Sequence, residues 1–262
     1  TKAWAIKSLM LDRGIDEDEA TNLYNDFMMK ARDAKFMIHF DPTELLKGGT
    51  TMLEQLATDG QVKNDYEIGR NIDVEYKQAN EYDLFGDDYD SAENKERPVY
   101  GVIDLHNQGL DSNPYGGSVA FVMKDDVKKR ATGSALDSNS IPYGEEGKWV
   151  RSLQDPHHMI VDRWKSKWKS PKKADKQRGR AMDSVLNGTR NNDNNGYYEA
   201  HIHGGVDIAR DVDHILVPEH WNTDKSMKDT HDSIKRLADQ HGLSIKYAPS
   251  NKAKTKSNAT AD

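Results

Sequence analysis

Apolar positions Leu23 and Phe27 recur four residues apart behind Asp16, whose side chain can accept from the first free N–H groups of a helix. The pattern predicts helix over much of residues 3–37, running toward Ala34. Phe36-Met37-Ile38-His39-Phe40 then reads as a short buried strand, stopped by Asp41-Pro42. Thr51 to Ala57 predicts a short helix that ends at Asp59-Gly60, and Tyr66 to Asn71 a polar turn. The acidic stretch 80–97 reads as a loop. Val99–Leu105 and Ser118–Met123 carry strand patterns, followed by a charged helix or turn at Asp125–Arg130. Residues 133–147, rich in Gly, Ser, Pro and Asn, read as a loop, as does Asn187–Gly196. Tyr197–His203, Ile215–Val217 and Leu243–Tyr247 read as strands. Ser226–His241 reads as a helix with Gly242 at its C-cap.

Helices first, short strands in the middle and a mixed end make an α+β chain rather than an alternating parallel sheet. The expected organisation is a helical segment over 1–34, one elaborated domain over 35–248 and a polar tail over 249–262. Residues 163–180 stand out as an insert with nine Lys or Arg and one Asp.

Composition narrows the classes. Lys plus Arg number 37 and Asp plus Glu 44, a formal charge of −7, which disfavours general nucleic-acid binding because phosphates need clustered cations. Arg163-Trp164-Lys165-Ser166-Lys167-Trp168-Lys169 interleaves aromatics with cations as single-strand binders do. A solvated insert or partner-docking surface accounts for it better in so acidic a chain. The absence of Cys excludes disulfide scaffolds, Cys-ligated zinc and thiol nucleophiles. No apolar run approaches the roughly 20 residues of a membrane span. The chain starts at Thr1, so an upstream segment with room for an export signal is expected.

The densest chemistry lies in YYEAHIHGG, residues 197–205. Strand alternation puts Tyr197, Glu199, His201 and His203 on one face, beside a diglycine break. Ordinary polar residues on an exposed sheet face would give the same pattern. Two functional readings compete with that one. His201 and His203 could share a metal ion with Asp207 or His214 as a third ligand, making a metal-dependent hydrolase. Alternatively, a carboxylate such as Glu199 could hold a ribose hydroxyl and stabilise the oxocarbenium ion formed when an N-glycosidic bond breaks.

The order of segments supports the second reading. HFDP (39–42), MLEQLATDG (52–60), YEIGRN (66–71), LFGDDYD (84–90), ERPVYGVIDL (96–105), YGGSVAFVMKDDV (115–127) and YYEAHIHGGVDIARDV (197–212) follow one another in the chain. This series resembles a bacterial family of ADP-ribosyltransferases that includes effectors modifying threonine on ubiquitin. The resemblance covers roughly residues 35–217. It implies a split β-sheet core, NAD as the consumed cofactor, and mono-ADP-ribosylation of a host protein. Ubiquitin is the implied partner, and the implied setting is that of a secreted bacterial effector in the host cytosol.

The same resemblance implies roles by residue. Glu199 would hold the ribose 2′-hydroxyl and the developing cation, and His39 would hydrogen-bond the NAD ribose. Tyr66 or Tyr100 would stack on the nicotinamide, and Arg70 would pair with the pyrophosphate. Glu67, Asn71 and Ser118 complete the cofactor-binding set. Tyr197 stands two residues before Glu199, where arginine-modifying relatives carry a second acid. That departure fits a hydroxyl acceptor, whose proton could pass to His201, His39 or Glu199. An NAD glycohydrolase would use the same site with water as acceptor.

Overall fold

The computed structural model describes residues 1–68, 73–113, 117–134, 151–152, 159–160, 185–187 and 198–249. The basic insert 163–180, the Asn-rich stretch after Asn187 and the residues beyond Pro249 lie outside the described residues.

Helices α1 (Lys2–Arg13) and α2 (Glu17–Asp33) open the chain. The helical stretch expected over 3–37 divides into two helices, the second starting at the Asp16 cap. Gly14 closes the first in a left-handed conformation (φ 64°), which glycine adopts without a Cβ clash. Asp16 caps α2 by accepting from the Glu19 amide at 2.9 Å, as the sequence suggested. Strand β1 (Lys35–Phe40) follows directly. Helix α3 (Met52–Asp59) begins in a capping box, with Thr51 and Glu54 satisfying each other's backbone N–H, and Gly60 ends it. Next come β2 (Gln61–Val62), α4 (Asp65–Ile68) and α5 (Val74–Phe85). Beyond them lie β3 (Val99–Asp104), β4 (Val119–Met123), β5 (Ala131–Ser134) and β6 (Arg151–Ser152). The last part holds β7 (Glu199–Ile202), β8 (Val206–Asp207), α6 (Ile208–Asp211), β9 (Val212–Pro218), α7 (Lys228–His241) and β10 (Ser244–Ala248).

The acidic stretch read as a loop over 80–97 is largely ordered into α5 and two 3-10 turns, Gly86–Tyr89 and Asn94–Glu96. Its helical face escaped detection because α5 buries Asn80, Glu81 and Asp83 beside Leu84, not a stripe of apolar residues. Similarly, Gly133 and Ser134, expected in a loop, belong to β5.

Among the described residues eight strands form one sheet in the order β10-β9-β4-β1-β3-β7-β5-β6, with β2 and β8 in a separate pair. All neighbours in the large sheet run antiparallel except β9 and β10, which are parallel. The protein is therefore α+β with a large mixed sheet. Strand β1 lies inside it and is covered on both faces, which explains the apolar run Phe36-Met37-Ile38. Phe36, Ile38 and Phe40 join the main core with residues of α1, α2, α3 and α7, while Met37 packs on the opposite face with Leu110, Ala120, Val122 and Leu216. The N-terminal helices thus share the core of the sheet, through Ala5, Leu9, Ala20 and Phe27. Among the described residues no helix is long and apolar enough to cross a membrane.

Candidate active site

The face of the sheet opposite the main core carries the candidate residues. On β3 the core takes Val99 and Ile103, and on β7 it takes Ala200 and Ile202. Alternation turns Tyr100, Glu199 and His201 to the other face. Register aligns them: Val102, Glu199 and Ser134 form one row across β3, β7 and β5, and Tyr100, His201 and Thr132 form the next. His39 shares this face, since its neighbours Ile38 and Phe40 face the core. It is half-buried, with Nε2 3.4 Å from the Ser112 hydroxyl. The stretch of β1 around His39 is registered with β4, whereas β1 is registered with β3 over Lys35–Met37. Gly117 has φ 78° and packs against this strand end, where an added Cβ would lie 2.7 Å from the Phe40 nitrogen.

Glu199 and His201 are not on an exposed face, as a bare polar strand would suggest. They are 4% and 0% exposed. A buried carboxylate is tolerable only with partners, and His201 is one, with Nε2 2.8 Å from Glu199 Oε1. From there polar contacts continue. His201 Nδ1 lies 3.4 Å from Thr132 Oγ1, which lies 2.9 Å from His203 Nε2; His203 Nδ1 lies 2.5 Å from the Tyr89 hydroxyl. Burial pushes His203 down to about 4 from its usual 6.5, so that ring is neutral at physiological pH. Burial likewise drives the Tyr89 hydroxyl up to about 12.

Helix α5 and the turn after it cover these groups. The Phe85 ring meets His201 edge-on at 5.3 Å and His203 at 5.6 Å, and Tyr89 stacks on His203 at 6.0 Å. Tyr100 also meets His201 edge-on, at 5.1 Å. Its hydroxyl is 3.5 Å from Glu81, which forms a buried ion pair with Arg97. Burial pushes the Glu81 carboxyl up, while the Arg97 guanidinium opposes that shift. Lys77 pairs with Asp65 and sits 4.6 Å over the Tyr100 ring, a cation–π contact. Below β7, Arg130 donates to the carbonyls of His203 and Gly205 and pairs with Asp211 at 2.6 Å, locking the diglycine turn.

The other sequence candidates divide. Tyr66 lies on α4, with the Arg97 guanidinium 4.7 Å from its ring centre. Glu67 accepts from the Asn64 amide at 3.1 Å, while Asn64 Oδ1 accepts from the Glu67 amide in return, so its contacts here close a turn. Ser118 leads into β4, its amide donating to the Phe40 carbonyl at 3.1 Å. Arg70, Asn71 and Tyr197 lie outside the described residues. The metal set does not assemble. His214 is on β9, four strands from β7, and Asp207 caps α6 by accepting from the Arg210 amide at 2.8 Å. Among the described residues no three His, Asp or Glu groups stand together as a metal cage would require.

Sequence reading missed Thr132, Tyr89, Glu81 and Arg97. The signal for Glu81 and Arg97 was faint: one acid in an acidic stretch and one Arg before a strand. A cavity of about 510 Å³ lies on the same sheet face toward β4 and β9, over Met37, Val122 and Leu216, with Asp104, His106 and His214 at its sides. Glu199 does not line it.

Residues 35–150 match the model of a family described as a protein of unknown function, DUF3626. The match spans β1 to β5 and includes His39, Tyr100 and Thr132, but stops short of Glu199 and His201. Among curated proteins none matches the chain.

Proposed function

We propose that this chain cleaves NAD and transfers the ADP-ribose to a protein, with Glu199 as the carboxylate on which the reaction turns. The observation that carries the reading is the alignment of His39, Tyr100 and Glu199 on one face of the strands β1, β3 and β7, which are neighbours in the sheet. Sequence order scatters these three over 160 positions, as 199 − 39 gives. The main core and the helices on it do not require a His, a Tyr and a Glu on the opposite face.

The chemistry follows from the groups. The bond between the ribose C1′ and the nicotinamide nitrogen breaks, and its electron pair leaves with nicotinamide, which becomes neutral. No acid is needed for that departure. The cation left on the ribose is stabilised by a fixed carboxylate in a water-poor site, where charge stabilisation is strongest. Glu199 meets both conditions, being 4% exposed and held by His201. An acceptor oxygen then bonds to C1′ and gives its proton to a base. His39, half-buried at the end of β1, suits the ribose hydroxyls. Tyr100 suits the nicotinamide better than Tyr66, because it shares the sheet face with Glu199 and Tyr66 lies under Arg97. Ubiquitin, through a threonine hydroxyl, is the proposed acceptor on the ground of the family resemblance.

The test is intact-mass spectrometry of ubiquitin after incubation with NAD and this protein, beside Glu199→Gln. A gain of one ADP-ribose with the parent and none with the variant is the expected outcome. NAD consumed without labelled ubiquitin would turn the proposal to another acceptor or to water. NAD left intact by the folded parent protein would overturn it.

A further inference from the structure

The contacts behind Glu199 have a polarity that distances alone do not state. Glu199 can only accept while ionised, so His201 must present an N–H at Nε2. A neutral phenol can donate or accept; with the Tyr89 hydroxyl donating at 2.5 Å, His203 Nδ1 is the acceptor. A neutral ring with Nδ1 accepting carries its proton on Nε2, and His203 therefore donates to Thr132 Oγ1 at 2.9 Å. The Thr132 hydroxyl, having accepted from one imidazole, has its own proton for the other, at His201 Nδ1. Every donor meets an acceptor in one direction: Tyr89 to His203 to Thr132 to His201 to Glu199. With Glu199 as a carboxylate and both rings neutral, this is the one direction in which every link joins a donor to an acceptor.

We infer that Thr132, His203 and Tyr89 are positioning residues which hold His201 neutral with its proton on Nε2, so that it gives Glu199 an N–H at a fixed place. The functional consequence rests on the proposed role of Glu199. The tautomers need only Glu199 as an accepting carboxylate and the contacts themselves. Phe85 and Tyr100 box the His201 ring edge-on at 5.3 and 5.1 Å, which limits rotation, but rings do not choose a tautomer. The Thr132 hydroxyl does, because it is the hydrogen-bond partner of His201 Nδ1. No proton is consumed and none leaves. The chain acts by geometry, aiming the Nε2–H of His201 at Glu199 Oε1.

The groups touching the two imidazoles are Glu199 and Thr132 from β7 and β5, Tyr100 from β3, and Phe85 and Tyr89 from α5 and the turn after it, with the charges of Arg130 and Asp88 also acting on His203. Thr132 is the only one of them that touches both rings by a hydrogen bond among the described residues, which makes it the position to change.

The experiment is two-bond proton–nitrogen NMR of the full chain labelled with 15N-histidine, with Thr132→Val, Thr132→Ser and Tyr89→Phe. In the parent, His201 and His203 are expected as neutral rings protonated on Nε2. Thr132→Val is expected to mix the His201 tautomers and to lower kcat for NAD cleavage about 10- to 100-fold, the size of effect seen when a group orienting a metal-bound imidazole is lost, with KM for NAD unchanged. Thr132→Ser restores both readouts, which a packing role for the methyl group would not predict. Tyr89→Phe, at the far end, disturbs His203 first. A parent His201 seen as imidazolium or protonated on Nδ1 overturns the inference, as does a folded Thr132→Val with parental tautomers and parental kcat. Should the parent not turn over NAD at all, the proposed function falls while the spectra still decide the chain.

Discussion

At the scale of the residue, the site depends on how burial is offset. Glu199, His201, Glu81 and Arg97 are all nearly inaccessible, and each has an oppositely polarised partner. His203 shows the cost that remains. Its ring is held near pKa 4 in the fold, with desolvation the largest cause and the nearby His201 and Arg130 adding to it. The unfolded chain takes that proton at the usual 6.5. Between these values the unfolded state binds more protons, so stability is complete above about pH 6.5 and falls as pH drops toward 4. Urea unfolding at pH 7 and pH 4.5 is expected to show the parent losing roughly 1–3 kcal/mol more than His203→Gln. Equal losses in both would remove His203 as the source.

At the scale of the element, β1 links the core to the chemistry. Three of its side chains enter the main core, and His39 leaves it on the other side. Gly117 holds the strand end by a close approach that only glycine permits, with φ 78° and an added Cβ 2.8 Å from the His39 Cβ. Gly117→Ala must shift β1 or the turn beside it. The expected loss is about 1–3 kcal/mol in thermal or urea unfolding, together with slower NAD cleavage because His39 moves. A variant as stable and active as the parent would show that the turn gives way freely. Helix α5 differs in its attachment. Its apolar contact is a small separate cluster of Leu84 with Phe85 and Tyr100, outside the main core. Polar contacts supply the rest of its attachment, above all the buried ion pair of Glu81 with Arg97.

At the scale of the whole molecule, the sheet separates two tasks. Among the described residues one face and the helices packed on it supply the main apolar core, while the other face carries the polar constellation beside α5. A cavity in the core should then lower stability and leave the chemistry intact. Leu9, fully buried on α1, is far from the polar face. Leu9→Ala is expected to cost about 2–5 kcal/mol, read by urea unfolding, with parental NAD cleavage at temperatures where the variant stays folded. Loss of activity in the folded variant would show the two faces to be coupled.

Local rules written in the sequence were enough for the elements whose own residues enforce them. Asp16, Thr51 with Glu54, Gly60 and Gly242 mark helix ends because capping is satisfied within a few residues. The apolar run of β1 and the alternation of β7 likewise needed no distant partner to be read. Helix α5 was hidden because its buried positions are polar, and a carboxylate such as Glu81 looks solvated until Arg97 is brought beside it. The burial of Glu199 and the linking of His201 to Thr132, His203 and Tyr89 depend on strand order and register. Those are set by packing among residues up to 114 positions apart, and no local pattern specifies them.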